Sequence, residues 1–319
     1  MRILFVWSGL TGYMGDCWRA LSGQVELKVV VDPKNTMPGG SFDAEKVMRG
    51  LDWGTQLPEN WIPDAVFTVG WHNPLCVAAA KKDWGADVKR VCCFDMPWRS
   101  GLRCFAAKFA LWRHVQRFDA AYVAGRSAQT YAKWLGFRTV RTGLFSIDTK
   151  RFAAPQGNGN RTGFLFVGRN APEKGIDTLR TAYGIYRKNG GTWPLTVPEW
   201  TEPEDVPRLM HEHACFILPS KWEPWGVVVA EAKAAGMKVI VSDRVHARED
   251  LACDAVFRAG GADELAAKML EMERTKTTVM EDLDFWSCGA WAKRVVEIVR
   301  SSRSSRGSRG SKGLRGSRG

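Results

Sequence analysis

The sequence predicts an α/β fold in two domains, on three observations. Apolar runs of strand length recur along the chain, closed by Gly, Pro or Asp, and several lead into helical spacing. A stretch with Pro, Gly and Asn at 153–162 separates two such series. The 319 residues suffice for two domains of ordinary size, each with its own core. A hydrophobic fraction of 45% with 25% charged residues fits a soluble globular protein. The five-residue run Ile3 to Trp7 is too short for a signal-peptide core, and no run approaches the ~18 apolar residues of a membrane span. A cytoplasmic location is expected.

In the first half, Arg2 to Trp7 reads as a strand and Ser8-Gly9-Leu10-Thr11-Gly12-Tyr13 as a glycine-bearing turn into a helix. In an open α/β sheet that turn faces the ligand crevice, and glycine lets backbone approach a phosphate. Val25 to Val31 and Ala65 to Val69 are the next strands, the second leading to Gly70-Trp71-His72-Asn73-Pro74. His72 therefore falls just past a strand's C-terminal end, on the crevice edge. Val88 to Phe94 is a further strand, left through Asp95-Met96-Pro97. Leu102, Phe105, Phe109 and Trp112 then recur at helical spacing, and no acid occurs from Pro97 to Phe118. This basic amphipathic segment reads either as a helix packed on the core with a solvated basic face or as one that contacts an anionic surface. Ala120 to Ala124 is a strand whose continuation, through Phe137, completes a βα unit.

Gly163 to Gly168 starts the second series and leads to Arg169-Asn170-Ala171-Pro172-Glu173-Lys174-Gly175. Two cations five residues apart in a strand-to-helix loop can converge on one diphosphate and neutralise it as it departs. From Thr178 to Ala214 only Leu195-Thr196-Val197 has strand character. Phe216 to Asp243 then reads as buried strand, loop, helix and buried strand. The helix runs from Val227 to Ala235 and closes at Gly236, where positive φ is tolerated. Glu223 and Glu231 flank its start. Their eight positions span roughly 12 Å if helical, with the free N–H groups near Gly226 and Val227 between them at the positive end of the helix dipole. The layout suits a long ligand with a phosphate in the middle and hydroxyls at both ends, the shape of a nucleotide-sugar.

Glu223-x7-Glu231, set in PSxxEPxGxxxxEAxAxG, resembles the signature of the retaining family 4 glycosyltransferases, and G-R-x4-K-G at 168–175 resembles their diphosphate-binding loop. The resemblance extends over about residues 1–300. It implies the GT-B fold, two Rossmann-like domains facing across a cleft. Residues 1–152 would form the N-terminal acceptor-side domain, 153–162 a linker and 163–282 the nucleotide-sugar domain. Residues 283–300 would form a helix returning to the first domain. The short interval before Glu223 implies a trimmed C-terminal domain. The implied chemistry is hexosyl transfer with retention from a nucleotide-diphosphate sugar to a glycan, lipid or polymer acceptor. Arg169 and Lys174 would hold the diphosphate, Glu223 the sugar, Glu231 the ribose, Gly226 and Val227 the phosphate through backbone, Thr11 and Gly12 the donor phosphate from the opposite domain, and His72 the sugar. No metal or other cofactor is required by this reading.

The net charge of +12 is unevenly distributed. Residues 1–150 carry 20 basic and 13 acidic side chains, residues 151–300 carry 20 and 21, and the last 19 carry six basic and none acidic. An anionic membrane surface or a polyanion thus becomes a candidate partner of the first half and of the Ser/Arg/Gly tail at 301–319, which is expected to be disordered. The eight cysteines form no C-x-x-C pair, which argues for buried thiols rather than a disulfide framework or a structural zinc. Two rival readings stand beside the transferase. One is a GT-B relative such as a nucleotide-sugar epimerase or phosphorylase; the other is a non-catalytic protein that binds nucleic acid or a membrane surface.

Overall fold

A computed structural model of the chain describes residues 1–32, 34, 44–99, 101–154, 161–276 and 282–301, without the side chains of 102–104. Residues 155–160 of the expected linker and 302–319 of the tail lie outside the described residues. The first sheet comprises β1 (Arg2–Trp7), β2 (Glu26–Val31), β3 (Trp53–Gly54), β4 (Ala65–Val69), β5 (Lys89–Phe94), β6 (Ala120–Val123) and β7 (Val140–Thr142). Its order is β3-β2-β1-β4-β5-β6-β7, and every neighbouring pair is parallel. The second sheet comprises β8 (Thr162–Leu165), β9 (Leu195–Thr196), β10 (His213–Leu218), β11 (Lys238–Ser242) and β12 (Ala255–Phe257), in the parallel order β12-β11-β10-β8-β9.

Helices α1 (Gly12–Ser22), α2 (Ala44–Val47), α3 (Pro74–Lys81), α4 (Leu102–Val115) and α5 (Arg126–Leu135) accompany the first sheet. After α6 (Thr149–Phe152), helices α7 (Ile176–Lys188), α8 (Val206–Glu212), α9 (Val227–Ala234) and α10 (Ala262–Arg274) accompany the second, and α11 (Cys288–Arg300) follows. Helices on both faces of a parallel sheet bury the central strands completely, which is why Ile3 to Val6 and Val239 to Val241 are continuous apolar runs without alternation.

The order of strands reverses between β1 and β4 in the first sheet and between β8 and β10 in the second. At such a switch point the loops leaving two adjacent strands diverge, and a crevice opens between them. Thr11 and Gly12 follow β1, Arg169 and Lys174 follow β8, and Glu223 follows β10.

The chain crosses between the sheets twice at one place. Ile147 N donates to Trp286 O at 2.9 Å and Cys288 N to Ile147 O at 3.1 Å, so the outgoing and returning strands pair side by side. Helix α11 then lies on the first sheet's core. Trp291 is fully buried against Phe5, with ring centroids 5.6 Å apart, and its indole N–H donates to Leu144 O at 2.7 Å. The sequence predicts a helix over residues 283–300. Instead Asp284–Trp286 forms a 3-10 turn and the helix begins at Cys288, because Ser287 Oγ caps it by accepting from Ala290 N at 3.1 Å. Strands β3, β7 and β12, each two or three residues long, carry no apolar run that sequence reading could separate from a loop.

The core-packed reading of the basic segment holds for only one face of α4, where Val115 is buried and Leu111 packs against the core. Among its described side chains only Val115 is buried, while Phe105, Phe109 and Trp112 face outward. The spacing does mark one face, but that face is turned away from the sheet.

Replacing Trp291 by Ala removes a buried ring and leaves the Leu144 carbonyl without its donor. A loss of about 3–5 kcal/mol is expected in urea unfolding.

Candidate active site

The crevices of the two sheets meet in one cavity of about 540 Å³, within the size range of small-molecule sites. The loop after β8 and the loop after β10 form one wall. Lys174 Nζ and Glu223 Oε2 lie 2.6 Å apart, with side chains only 16% and 12% exposed. The two loops are also joined by backbone, since Lys221 N donates to Glu173 O at 2.7 Å. Gly175 is required between them: its φ is +69°, and a Cβ there would stand 2.1 Å from Pro219 O. Arg169 lines the same wall and pairs with Glu173 at 3.2 Å.

Helix α9 starts at this wall. Gly226 precedes it at φ +104°, crowded by Glu223 Cγ, Leu218 Cδ2 and Val245 Cγ1 at 3.2–3.3 Å from where a Cβ would sit. No side chain caps the helix, so its first N–H groups, beginning at Val227, are presented uncapped at a cavity-lining position. Glu231, two turns on, also lines the cavity. Burial pushes its carboxyl up to about 7, partly offset by Arg151, with Asp16 raising it further. Arg151 and Asp16 stand 3.9 Å apart on the same side of the cavity.

The first sheet supplies the opposite wall. Thr11 and Gly12 line it, and the Thr11 side chain is buried there beside Tyr13. Asp95, at the end of β5, lines it too. Its carboxyl is held above the usual carboxylate range by burial and by the neighbouring charge of Glu223. His72 stands elsewhere. Asn73 caps α3 by accepting from Leu75 N at 3.0 Å and Cys76 N at 3.2 Å, and donates to Asp32 at 2.9 Å. That turn leaves His72 exposed, with its ring beside Trp71 and outside the cavity lining.

Eight of the nine residues singled out from sequence therefore line one cavity, from opposite sheets, and His72 does not. Asp95 is the acid that sequence reasoning left without a role, although the positional rule that singled out His72 applies equally to the end of β5. Trp200, in the loop between β9 and α8, lines the cavity as well, with its indole N–H donating to Glu202 at 2.9 Å. No apolar pattern announced it. Among the described residues no group of three or more His, Cys, Asp or Glu could hold a metal ion.

The two halves touch around Asp250, which accepts from Trp225 Nε1 at 2.9 Å and from Arg126 N at 3.2 Å. At the mouth of the cleft the Arg99 guanidinium stacks 3.3 Å from the centre of the Trp222 ring.

Comparison with known proteins fits this geometry. Residues 194–281, which include Glu223 and Glu231, match the family model for glycosyl transferases group 1. No curated protein sequence matches the chain. A glycosyltransferase from Rickettsia africae is similar in structure with a TM-score of 0.69 at 12% identity, over 93% of this chain and 97% of its own. HepE from Anabaena, solved in complex with UDP and glucose, gives 0.66 at 14% identity, over 95% and 100%. Sucrose-phosphate synthase from Thermosynechococcus elongatus gives 0.63 at 14%, over 93% and 98%. The architecture is the GT-B fold. With the family match over 194–281, it supports a glycosyltransferase.

Glu231 has a folded-state pKa raised from 4.5 to about 7. Its ionisation therefore opposes folding, with no penalty below pH 4.5 and the full penalty above pH 7. Glu231→Gln is expected to be more stable than wild type at pH 8, by about 1–3 kcal/mol, with the difference shrinking as pH falls towards 4.5. Melting curves of the two proteins at pH 5 and pH 8 measure this.

Proposed function

We propose that the protein transfers a sugar from a nucleotide-diphosphate sugar to an acceptor with retained anomeric configuration. The observation that carries this reading is the Lys174–Glu223 pair in the cavity wall. It places a cation and an acid side by side, with the uncapped start of α9 behind them and Glu231 two turns beyond. In the absence of donor each neutralises the other. A bound diphosphate competes for Lys174, and Glu223 is then released to accept hydrogen bonds from the sugar hydroxyls and to favour positive charge developing at the anomeric carbon. As the bond from that carbon to the phosphate oxygen breaks, Arg169, Lys174 and the N–H groups at Val227 hold the departing diphosphate. The raised pKa of Glu231 makes it a hydroxyl partner that is in part protonated at neutral pH, suited to the ribose.

Thr11 and Gly12 approach the phosphates from the first sheet. Asp95, rather than His72, is the first-sheet group that faces Glu223, and it takes the acceptor side. Retention and the family 4 type rest on the Glu223-x7-Glu231 resemblance; a nucleotide donor is supported by that resemblance and by the UDP and glucose bound to HepE. The interval before Glu223 is short, yet Pro198, Trp200, Thr201 and Pro203 line the cavity there. These residues form the wall available to a nucleobase.

Incubation with UDP-, GDP- and ADP-sugars is expected to release nucleotide from at least one donor. Glu223→Ala and Lys174→Ala are each expected to lower that rate about 10²-fold or more while the proteins remain folded. A wild-type protein that turns over none of the panel, with or without candidate acceptors, would falsify the transferase reading.

A further inference from the structure

The strongest feature that the cleft leaves unexplained is α4. Over Leu102–Val115 it presents Phe105, Phe109 and Trp112 at positions i, i+4 and i+7, which is one stripe of a helix. Their exposures are 58%, 80% and 58%. Nine large hydrophobic residues are exposed in the described chain, and three of them fall on this single helix, with Met96 in the loop before it. Scattered exposed hydrophobes are ordinary, but a contiguous stripe on one helix marks an interaction surface. The aromatic patch continues on to α5, where Trp134 meets Phe105 edge-on at 5.5 Å and lies under Lys108 at 5.1 Å.

The charge around the stripe indicates what covers it. Lys108 and Arg113 are exposed beside the aromatics, Arg117 follows the helix, and no acid occurs from Pro97 to Phe118. A protein-binding helix would be expected to mix charge signs around its apolar stripe. A one-sign rim of cations around Phe and Trp instead matches a surface that is anionic over a broad area and apolar just beneath. We propose that α4 docks the protein on an anionic phospholipid bilayer, with Phe105, Phe109 and Trp112 inserted and Lys108, Arg113 and Arg117 at the headgroups. The dock does not depend on the transferase reading. It does place the cleft close to the lipid, because only the short loop carrying Arg99, which stacks on Trp222, separates α4 from Asp95.

Vesicle co-sedimentation of the full chain tests this. Wild-type protein is expected to pellet with phosphatidylcholine vesicles that contain phosphatidylglycerol and to remain in solution with phosphatidylcholine alone, with the bound fraction falling as salt is raised. Joint replacement Phe105→Ser, Phe109→Ser and Trp112→Ser is expected to weaken binding at least about tenfold with an unchanged circular dichroism spectrum. Should the triple variant not fold, Phe109→Ser alone, at the most exposed position, gives the same direction of effect. Lys108→Gln with Arg113→Gln and Arg117→Gln is expected to abolish the preference for phosphatidylglycerol. The proposal is overturned if wild type ignores the anionic vesicles, including the case in which it self-associates instead. It is equally overturned if the serine variants bind as wild type does, which would assign binding to the basic residues at 302–319.

Discussion

Lys174 and Glu223 come from different strand-to-helix loops, and their 2.6 Å contact is what makes two loops into one wall. Each would be a poor occupant of a half-buried position alone, because a desolvated charge without a partner is strongly disfavoured. Held together they tolerate the cavity, and they remain available to a ligand that offers a diphosphate to one and hydroxyls to the other. The surrounding features serve that arrangement. Gly175 lets the first loop lie against Pro219 O, Gly226 turns the second loop into α9 at positive φ, and Glu223 N is tied to Arg244 O at 3.1 Å.

The fold supplies the second constraint. Parallel strands deliver every following loop to the same edge of their sheet, and a reversal of strand order opens a crevice at that edge. Here both sheets do so, and the double crossing at Ile147 and Ser287, together with the Asp250 contacts to Arg126 N and Trp225 Nε1, turns the two edges towards one cavity. Trp225 and Trp286, 4.6 Å apart, pack beside that crossing.

The second sheet's wall was legible in sequence because its chemistry is local. Arg169 and Lys174 lie within one loop, Glu223 and Glu231 lie within one loop and helix, and glycines mark the turns that hold them. The long runs of the buried strands were equally legible, since a strand buried on both faces must be apolar throughout. What sequence could not supply was direction across space. His72 and Asp95 both follow strand ends, and only Asp95 lines the cavity, a difference that spacing along the chain does not report. Whether the stripe of α4 faces in or out depends on which side of the helix meets the sheet, and periodicity is blind to that. The short strands β3, β7 and β12 and the cavity-lining Trp200 follow from neighbours distant in sequence, so no local pattern could announce them, whereas Leu195-Thr196-Val197 did mark β9.

The account stands on the claim that Arg169 and Lys174 form a diphosphate site. A ligand of the folded state raises the melting temperature by mass action, so thermal melts with UDP, GDP and ADP, each against its nucleoside, test the claim directly. One of the diphosphates is expected to raise the wild-type melting temperature, the matching nucleoside to give a much smaller shift, and the diphosphate shift to disappear in Lys174→Ala and weaken in Arg169→Ala. A shift that survives both substitutions, or the absence of any shift with all three diphosphates, would contradict it.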